Sequence, residues 1–330
     1  MKEEQTMSNS ETSYTQNHLF AELPKQPEKQ KPEDPPSKSQ KNGKIKKDKI
    51  ELFDDNGQSR GFYSTRNALN ELTGKEWVYW SKSVINKPYP PNCQHKLRSQ
   101  HGGQKPPDLC ADLIKIFTKP GQSVLDPFAG VGGSLLGASL CGRKALGIEL
   151  NQSHIDVYKE VCFLENLKQQ KILCGDSREV LKTLLKDQAN FDFLLTDVPY
   201  WNMDTAQRSR GNFKKVGEKL KEKRQSKLKV FNEKSQSKEE WLAELKEIFQ
   251  DSIPLLKEKA YLAIFIGDMY HSGQYHFLTA DLANILQNLG LTMKANNVWY
   301  DVSKSLHVYG YLYQYIPSMI HQNILIFCKE

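Results

Sequence analysis

From residue 107 onward the apolar positions switch repeatedly between a helical period and short buried runs. Leu109, Leu113, Ile116 and Phe117 follow Pro107-Asp108 at helical spacing, and Lys119-Pro120-Gly121 ends that helix. Ser123-Val124-Leu125-Asp126 reads as a short buried strand. A glycine loop, Gly130-Val131-Gly132-Gly133, follows it, then a small-residue helix, SLLGASLCG, that stops at Gly142. KALGIEL is a second strand ending at Glu149, and a helix is expected over about 151–168. KILCGD is a third strand ending at Asp176, and a helix over about 177–187 leads to FDFLLTD, a fourth strand ending at Asp197. Further on, WLAELKEIFQDSIPLL reads as a helix, AYLAIFIGD as a fifth strand and DLANILQNLG as a helix. LTMKANNVWYDV and HQNILIFCK look like a closing antiparallel pair.

Strands alternating with helices predict an α/β fold: a doubly wound, mostly parallel, Rossmann-like sheet with helices on both faces and an antiparallel C-terminal strand pair. In such sheets a ligand lies beyond the carboxyl ends of the strands. Four successive strand ends here carry a carboxylate, at Asp126, Glu149, Asp176 and Asp197, with the glycine loop after the first. That succession describes a site.

The N-terminal part has no such pattern. Residues 1–50 are mostly Lys, Glu, Gln, Ser and Pro and cannot bury enough apolar surface to offset their chain entropy. Residues 1–58 are therefore expected to be a disordered polar tail, and 59–330 one folded domain whose residues 60–105 are irregular. The tail has no apolar segment of the signal-peptide kind, and no run of about 18 apolar residues occurs anywhere, so no membrane span and a cytoplasmic location are expected. The six cysteines form no C-x-x-C pair and none lies near a histidine at zinc-ligand spacing, so neither disulfides nor a metal are expected.

The formal net charge is +7, and residues 204–240 hold twelve Lys/Arg against six Asp/Glu, a net of +6. That stretch is expected to be a basic flexible insertion. Alone it reads equally well as a solvated loop or as a phosphate-contacting one; its position just after Asp197 favours phosphate contact, with Lys214, Lys215, Lys223 and Arg224 as the candidates.

The glycine loop narrows the ligand. A dinucleotide site wants G-x-G-x-x-G, but Leu135 stands at the third glycine's place, and a carboxylate at Asp126 would repel a pyrophosphate. A cationic nucleoside suits the loop better, and Glu149, 19 residues after Gly130, could accept both hydrogen bonds of a ribose diol. No G-K-[ST] is present, which excludes a P-loop.

With these residues in place, the sequence resembles the amino-group DNA methyltransferases, which methylate N6 of adenine or N4 of cytosine. Asp126-Pro127-Phe128-Ala129-Gly130-Val131-Gly132 resembles their D-P-F-x-G-x-G cofactor loop, Gly147-Ile148-Glu149-Leu150-Asn151 their G-I-E-x-N, and Lys105-Pro106 with Leu109 the K-P-x-x-L segment that closes over the methionine moiety. Asp176 resembles the third-strand acid near the cofactor's adenine, and Asp197-Val198-Pro199-Tyr200 the catalytic D-P-P-Y, with Val198 in place of the first proline. The resemblance spans about residues 95–330 and is strongest over 104–151.

The resemblance implies S-adenosylmethionine as cofactor, DNA as partner, and Asp197, Val198, Pro199 and Tyr200 as the catalytic residues. Asp197 and the Val198 carbonyl would accept hydrogen bonds from an exocyclic amine that attacks the sulfonium methyl, while Tyr200 stacks on a flipped base and Trp201 extends the platform. Asp in this motif favours N6-adenine over N4-cytosine. Any restriction endonuclease partner would be a separate chain. The competing readings are a guanine-N2 RNA methyltransferase, a catalytically dead nucleic-acid-binding core and an NAD oxidoreductase. Tyr270, His271, Trp299, Tyr300 and Tyr309 in the C-terminal third either pack or read the target.

Overall fold

The computed structural model describes residues 48–54, 56–99, 104–201, 237–271, 273–302, 315 and 319–330. Its chain begins with an antiparallel hairpin, β1 (Lys49–Phe53) and β2 (Ser59–Ser64), in which Ile50 pairs with Tyr63 and Leu52 with Gly61. β1 falls inside the stretch 1–58 expected to be a disordered tail, so ordered backbone starts earlier than the composition implies. The irregular reading of 60–105 also needs revision. Besides β2 it holds α1 (Gly74–Trp80), β3 (Val84–Ile85) and the short α2 (His95–Arg98). Thr73 starts α1 with a capping box, its side chain accepting from the Glu76 N–H while Glu76 reaches back to the Thr73 N–H.

The remaining elements fall close to their predicted places. They are α3 (Pro107–Phe117), β4 (Ser123–Asp126), α4 (Gly133–Leu140), β5 (Lys144–Glu149), α5 (Gln152–Leu164), β6 (Lys171–Cys174), α6 (Ser177–Lys186) and β7 (Phe191–Asp197). After residue 236 come α7 (Lys238–Ser252), β8 (Leu256–Ile266), a small hairpin of β9 (Met269–His271) and β10 (Gln274–His276), α8 (Leu278–Asn288), β11 (Thr292–Tyr300) and β12 (His321–Cys328). The basic insertion expected over 204–240 ends earlier, because Ser237 caps α7 through a second capping box with Glu240.

Eight strands form one sheet in the order β3-β11-β12-β8-β7-β4-β5-β6. All neighbours from β8 to β6 are parallel, whereas β12 runs antiparallel to both β8 and β11. The two faces of the sheet bury separate cores. Leu125, Leu146, Leu194 and Ile264 pack towards α6, α7 and α8, while Val124, Ala145, Phe193 and Phe265 pack towards α3, α4 and α5. Alternate residues along one strand thus serve opposite layers, which is why these strands read as continuous apolar runs. Each fully buried Leu or Phe contributes roughly 1.5–3 kcal/mol relative to exposure.

Strand order reverses at β4. The chain steps outward from β4 through β5 to β6, then returns to the other side of β4 with β7 and β8. At such a reversal the loops following β4 and β7 diverge and leave a crevice. Among the described residues, no helix is long and apolar enough to cross a membrane, and all six cysteines are unpaired thiols.

Candidate active site

The crevice is bounded on one side by the loop after β4. Asp126 is only 4% exposed. It accepts hydrogen bonds from the Ser134 hydroxyl, from Thr196 Oγ1 at 2.6 Å and from the Phe128 N–H at 3.0 Å. Burial nevertheless pushes its carboxyl up to about 6, against the downward pull of those donors. Gly132, at φ 78°, caps α4 in the left-handed region, and a Cβ there would overlap the Tyr158 ring. Ser177 Oγ donates to the Pro127 carbonyl at 2.5 Å and so fastens the loop to the start of α6.

Glu149 holds the loop from below. Its oxygens accept from the Gly130 N–H at 2.9 Å and the Asn151 N–H at 2.9 Å, and His154 Nδ1 lies 3.0 Å from Oε1. The side chain is 4% exposed. The tight loop's own N–H groups need acceptors, and Glu149, expected to accept from a ribose diol, supplies them in this structure. Asp176 is likewise engaged, as the N-cap of α6 accepting from the Arg178 N–H and in a two-pronged contact with the Arg178 guanidinium that lowers its pKa.

Across the crevice stands Asp197, at the end of β7. Its Oδ2 forms an ion pair with Lys105 Nζ, 92 residues earlier. Burial raises the Asp197 pKa and the Lys105 ammonium pulls it back. The Tyr200 hydroxyl beside the carboxylate also lowers it, while Oδ1 is buried without a hydrogen-bond partner among the described residues. Lys105, expected to contact the cofactor, reaches the Asp197 carboxylate in this structure, its side chain 7% exposed and its Nζ 5.2 Å from the Phe265 ring centre and 5.7 Å from that of Tyr200. Pro106 is the residue before the first turn of α3. A buried guanidinium that carries no sequence motif, Arg98, holds this segment. It donates to the carbonyls of Cys93 at 2.8 Å, Lys105 at 3.2 Å and Asn92 at 3.3 Å. Gly133 completes the seat, since a Cβ there would lie 3.1 Å from the Lys105 carbonyl oxygen.

The turn after Asp197 is fixed by its neighbours. Val198 is buried in the core, and the Pro199 carbonyl accepts from Trp241 Nε1 of α7 at 2.8 Å. The Tyr200 ring passes close over Gly267, where a Cβ would sit 3.2 Å from Cε1, and its hydroxyl accepts from Gln322 Nε2 of β12 at 2.5 Å. Burial and the Asp197 charge raise the Tyr200 pKa well above its usual value, so the phenol keeps its proton. Trp201 does not extend a platform. It is 9% exposed, packed edge-on against His276 at 4.9 Å and His271 at 5.4 Å in the core beneath the turn. Trp299 is also a packed core aromatic, set against Phe265. Lys214, Lys215, Lys223, Arg224 and Tyr309 lie outside the described residues.

Lys105, Asp126, Phe128, Gly130 and Asp197 line one cleft, together with Gln104. The Gln104 Nε2 donates to the His95 carbonyl at 3.2 Å, and its Oε1 is buried without a partner. A ligand bearing an ammonium would supply the missing donor, and two carboxylates face the space such a cation would enter. The cleft residues therefore fit S-adenosylmethionine, and the acidic Asp126 loop does not fit a pyrophosphate.

Comparison with known proteins agrees with this chemistry. Residues 1–160 match the model of the DNA methylase family, which bears out the resemblance to the amino-group DNA methyltransferases. That match takes in Lys105, the glycine loop and Glu149 and stops before Asp197. The chain is 42% identical over 102 residues to the type II methyltransferase M.HinfI of Haemophilus influenzae, covering 29% of this chain and 26% of that protein. It is 28% identical over 125 residues to the type II methyltransferase M.SmaI of Serratia marcescens, covering 37% and 35%. It is also 27% identical over 100 residues to a tRNA (guanine(10)-N2)-dimethyltransferase of Pyrococcus abyssi, covering 30% of each chain. The chain thus spans about a third or less of the length of these relatives.

Proposed function

Starting from the DNA methylase family match, we propose that this protein transfers a methyl group from S-adenosylmethionine to an exocyclic amine of a DNA base, with adenine N6 as the favoured target. One observation carries the reading. At the crevice where strand order reverses, a buried carboxylate has one oxygen fixed by a lysine and the other without a partner among the described residues.

The donor supplies an electrophilic methyl on a cationic sulfur. The protein's part is to bind, orient and polarise. Asp197 Oδ1 accepts an N–H of the target amine, drawing its lone pair out of conjugation with the ring. The Lys105 ammonium opposes the upward push of burial on the Asp197 carboxyl and holds Oδ2 so that Oδ1 faces the incoming base. Val198 departs from the D-P-P-Y pattern but still offers a backbone carbonyl. Tyr200, fastened at its hydroxyl and resting over Gly267, presents a fixed ring for stacking. Lys214, Lys215, Lys223 and Arg224 are proposed to grip the phosphates beside the flipped base. The protein would act on DNA in the cytoplasm, alone or beside a separate restriction endonuclease.

A second reading, guanine N2 in tRNA, draws on the likeness to the tRNA dimethyltransferase. Incubation with labelled S-adenosylmethionine and either PCR-amplified genomic DNA or transcribed tRNA, followed by nucleoside mass spectrometry, separates the two. N6-methyladenine in DNA is expected, lost in Asp197→Asn. N4-methylcytosine would reassign the base, N2-methylguanine in tRNA would favour the second reading, and no label in either polymer would reject both.

A further inference from the structure

β8 ends beneath the catalytic turn. Gly267, the residue after it, lies under the Tyr200 ring, and β9 opens at Met269. The β9–β10 hairpin therefore rises at the mouth of the crevice, on the side of β7 away from the glycine loop.

Its two faces differ, because alternate residues of a strand point to opposite sides. Met269, His271 and His276 turn inward, and the two histidines meet Trp201 edge-on. Tyr270 and Tyr275, paired directly opposite each other, take the other face. Phe277 joins them, its ring centre 6.4 Å from that of Tyr275. The Tyr275 and Phe277 side chains are 52% and 56% exposed. An exposed pair of aromatic rings beside a catalytic crevice marks a contact surface. The polar tips are already engaged. The Tyr275 hydroxyl donates to Asp268 Oδ2 and the Tyr270 hydroxyl to the Gly273 carbonyl, each at 3.0 Å. Asp268 Oδ1 accepts from the Thr279 N–H at 2.9 Å, which ties the hairpin to the first turn of α8. What is left to offer a partner is the ring faces.

Charge narrows the partner. Residues 202–236 hold eleven Lys/Arg and four Asp/Glu. Described residues on both sides of that stretch meet the hairpin and the helix after it. Trp201 packs on His271 and His276, and Lys238 pairs with Asp281 in the first turn of α8 at 3.0 Å. Aromatic rings flanked by a strongly basic stretch fit a polyanion that carries rings of its own, which is a nucleic acid strand.

We propose that Tyr275 and Phe277 are the contact surface for the DNA beside the target base, packing on bases left unstacked when the target leaves the helix. This rests on the function proposed above. Extruding a base exposes the faces of its neighbours to water, and a ring packed there restores part of the lost stacking.

The test uses the full chain as wild type, Tyr275→Ala, Phe277→Ala, and a control with Tyr275→Phe and Phe277→Tyr together, which keeps both rings. Binding of a fluorescein-labelled single-stranded oligonucleotide of mixed sequence is measured against salt, with kcat/KM on PCR-amplified genomic DNA. Melting temperature with and without S-adenosylhomocysteine and sedimentation are measured alongside. Each alanine should weaken oligonucleotide binding and kcat/KM about tenfold, the worth of one stacked base. The salt slope, the melting temperature and the stabilisation by S-adenosylhomocysteine should not change, and the control should match wild type. Alanine variants that bind and methylate DNA as wild type does overturn the role of the hairpin alone. A melting temperature that falls in step with affinity gives the face to the chain's own packing and also overturns it. So do wild-type dimers that the alanines dissociate with DNA affinity intact, which give the face to a second copy. Wild type that methylates tRNA and not DNA overturns DNA as the occupant. Wild type that binds S-adenosylhomocysteine yet methylates neither polymer overturns the proposed function itself.

Discussion

Replacing Lys105 by Met removes the only cation paired with Asp197 among the described ion pairs, at nearly constant side-chain volume. Among the described residues Asp197 Oδ1 has no hydrogen-bond partner to begin with, and the neighbouring Tyr200 hydroxyl is neutral. The substitution therefore leaves a buried carboxylate with neither oxygen held by a cation. Removing one member of a buried pair costs about 3–5 kcal/mol, and the partial exposure of Asp197 places the expectation at the lower end, about 3 kcal/mol at pH 8. The carboxylate has an escape, which is to take up a proton. Losing the ammonium therefore moves its pKa further up from its position in the wild type. A carboxyl whose folded pKa lies above its unfolded one penalises the fold at high pH, and the penalty fades as pH falls through the folded value. Urea denaturation of wild type and variant between pH 5 and 8 measures the difference directly. The deficit should shrink steadily towards pH 5, and Lys105→Met combined with Asp197→Asn should recover most of it at every pH. A deficit independent of pH, or a double variant no better than the single one, would refute the pairing argument and leave lost packing against Phe265 and Tyr200 as the cause.

Asp126, pushed up to about 6 by burial, should make donor binding sensitive to pH. A cationic ligand favours the ionised carboxylate, so titration calorimetry should show S-adenosylmethionine affinity level above pH 7 and about tenfold weaker by pH 5. A flat profile would mean that Asp126 only braces the loop. Gly132→Ala adds a Cβ in the left-handed region and drives it into Tyr158, whose hydroxyl is already tied to the Gln170 N–H at 2.7 Å. The expected loss is about 3 kcal/mol in denaturation, and a loss below about 1 kcal/mol would show that the ring yields. Neutralising Lys214, Lys215, Lys223 and Arg224 together should weaken DNA binding and flatten its salt dependence by about 0.9 per phosphate contact removed. Unchanged affinity with an unchanged slope would reduce the basic stretch to a solvated loop.

The parallel part of the sheet is legible in the sequence because β4, β5, β7 and the second half of β8 are largely buried on both faces, so each holds a short apolar run stopped by a turn. The carboxylates at the ends of β4, β5 and β7 mark the site from the residue pattern alone. The β1–β2 hairpin escapes such reading because KIELF is embedded in a Lys-rich context and its alternation covers only five residues. The individual roles are harder. Glu149 and Lys105 stand out in the sequence, yet what each one bonds depends on partners 19 and 92 positions away, which no local pattern encodes. Trp201 looks like an extension of the stacking motif, but the β9–β10 hairpin, which has no clear sequence signal, supplies the two histidines that bury it. Gln322 has no signal at all. A glutamine at the start of an ordinary strand becomes notable only when the sheet order sets it beside Tyr200.

The placement of β12 between β8 and β11 has a consequence for assembly. β11 and β3 join the rest of the sheet only through β12, so the chain must bring residues 321–328 back into the middle of a structure otherwise built from earlier segments. Until it arrives, β8 exposes an apolar edge with unused backbone donors and acceptors, the kind of edge that recruits foreign strands. Such distant pairing is slow to form. Conditions that delay it should favour aggregation, and the crevice edge, where Gln322 of this strand holds the Tyr200 hydroxyl, is completed only when the sheet closes.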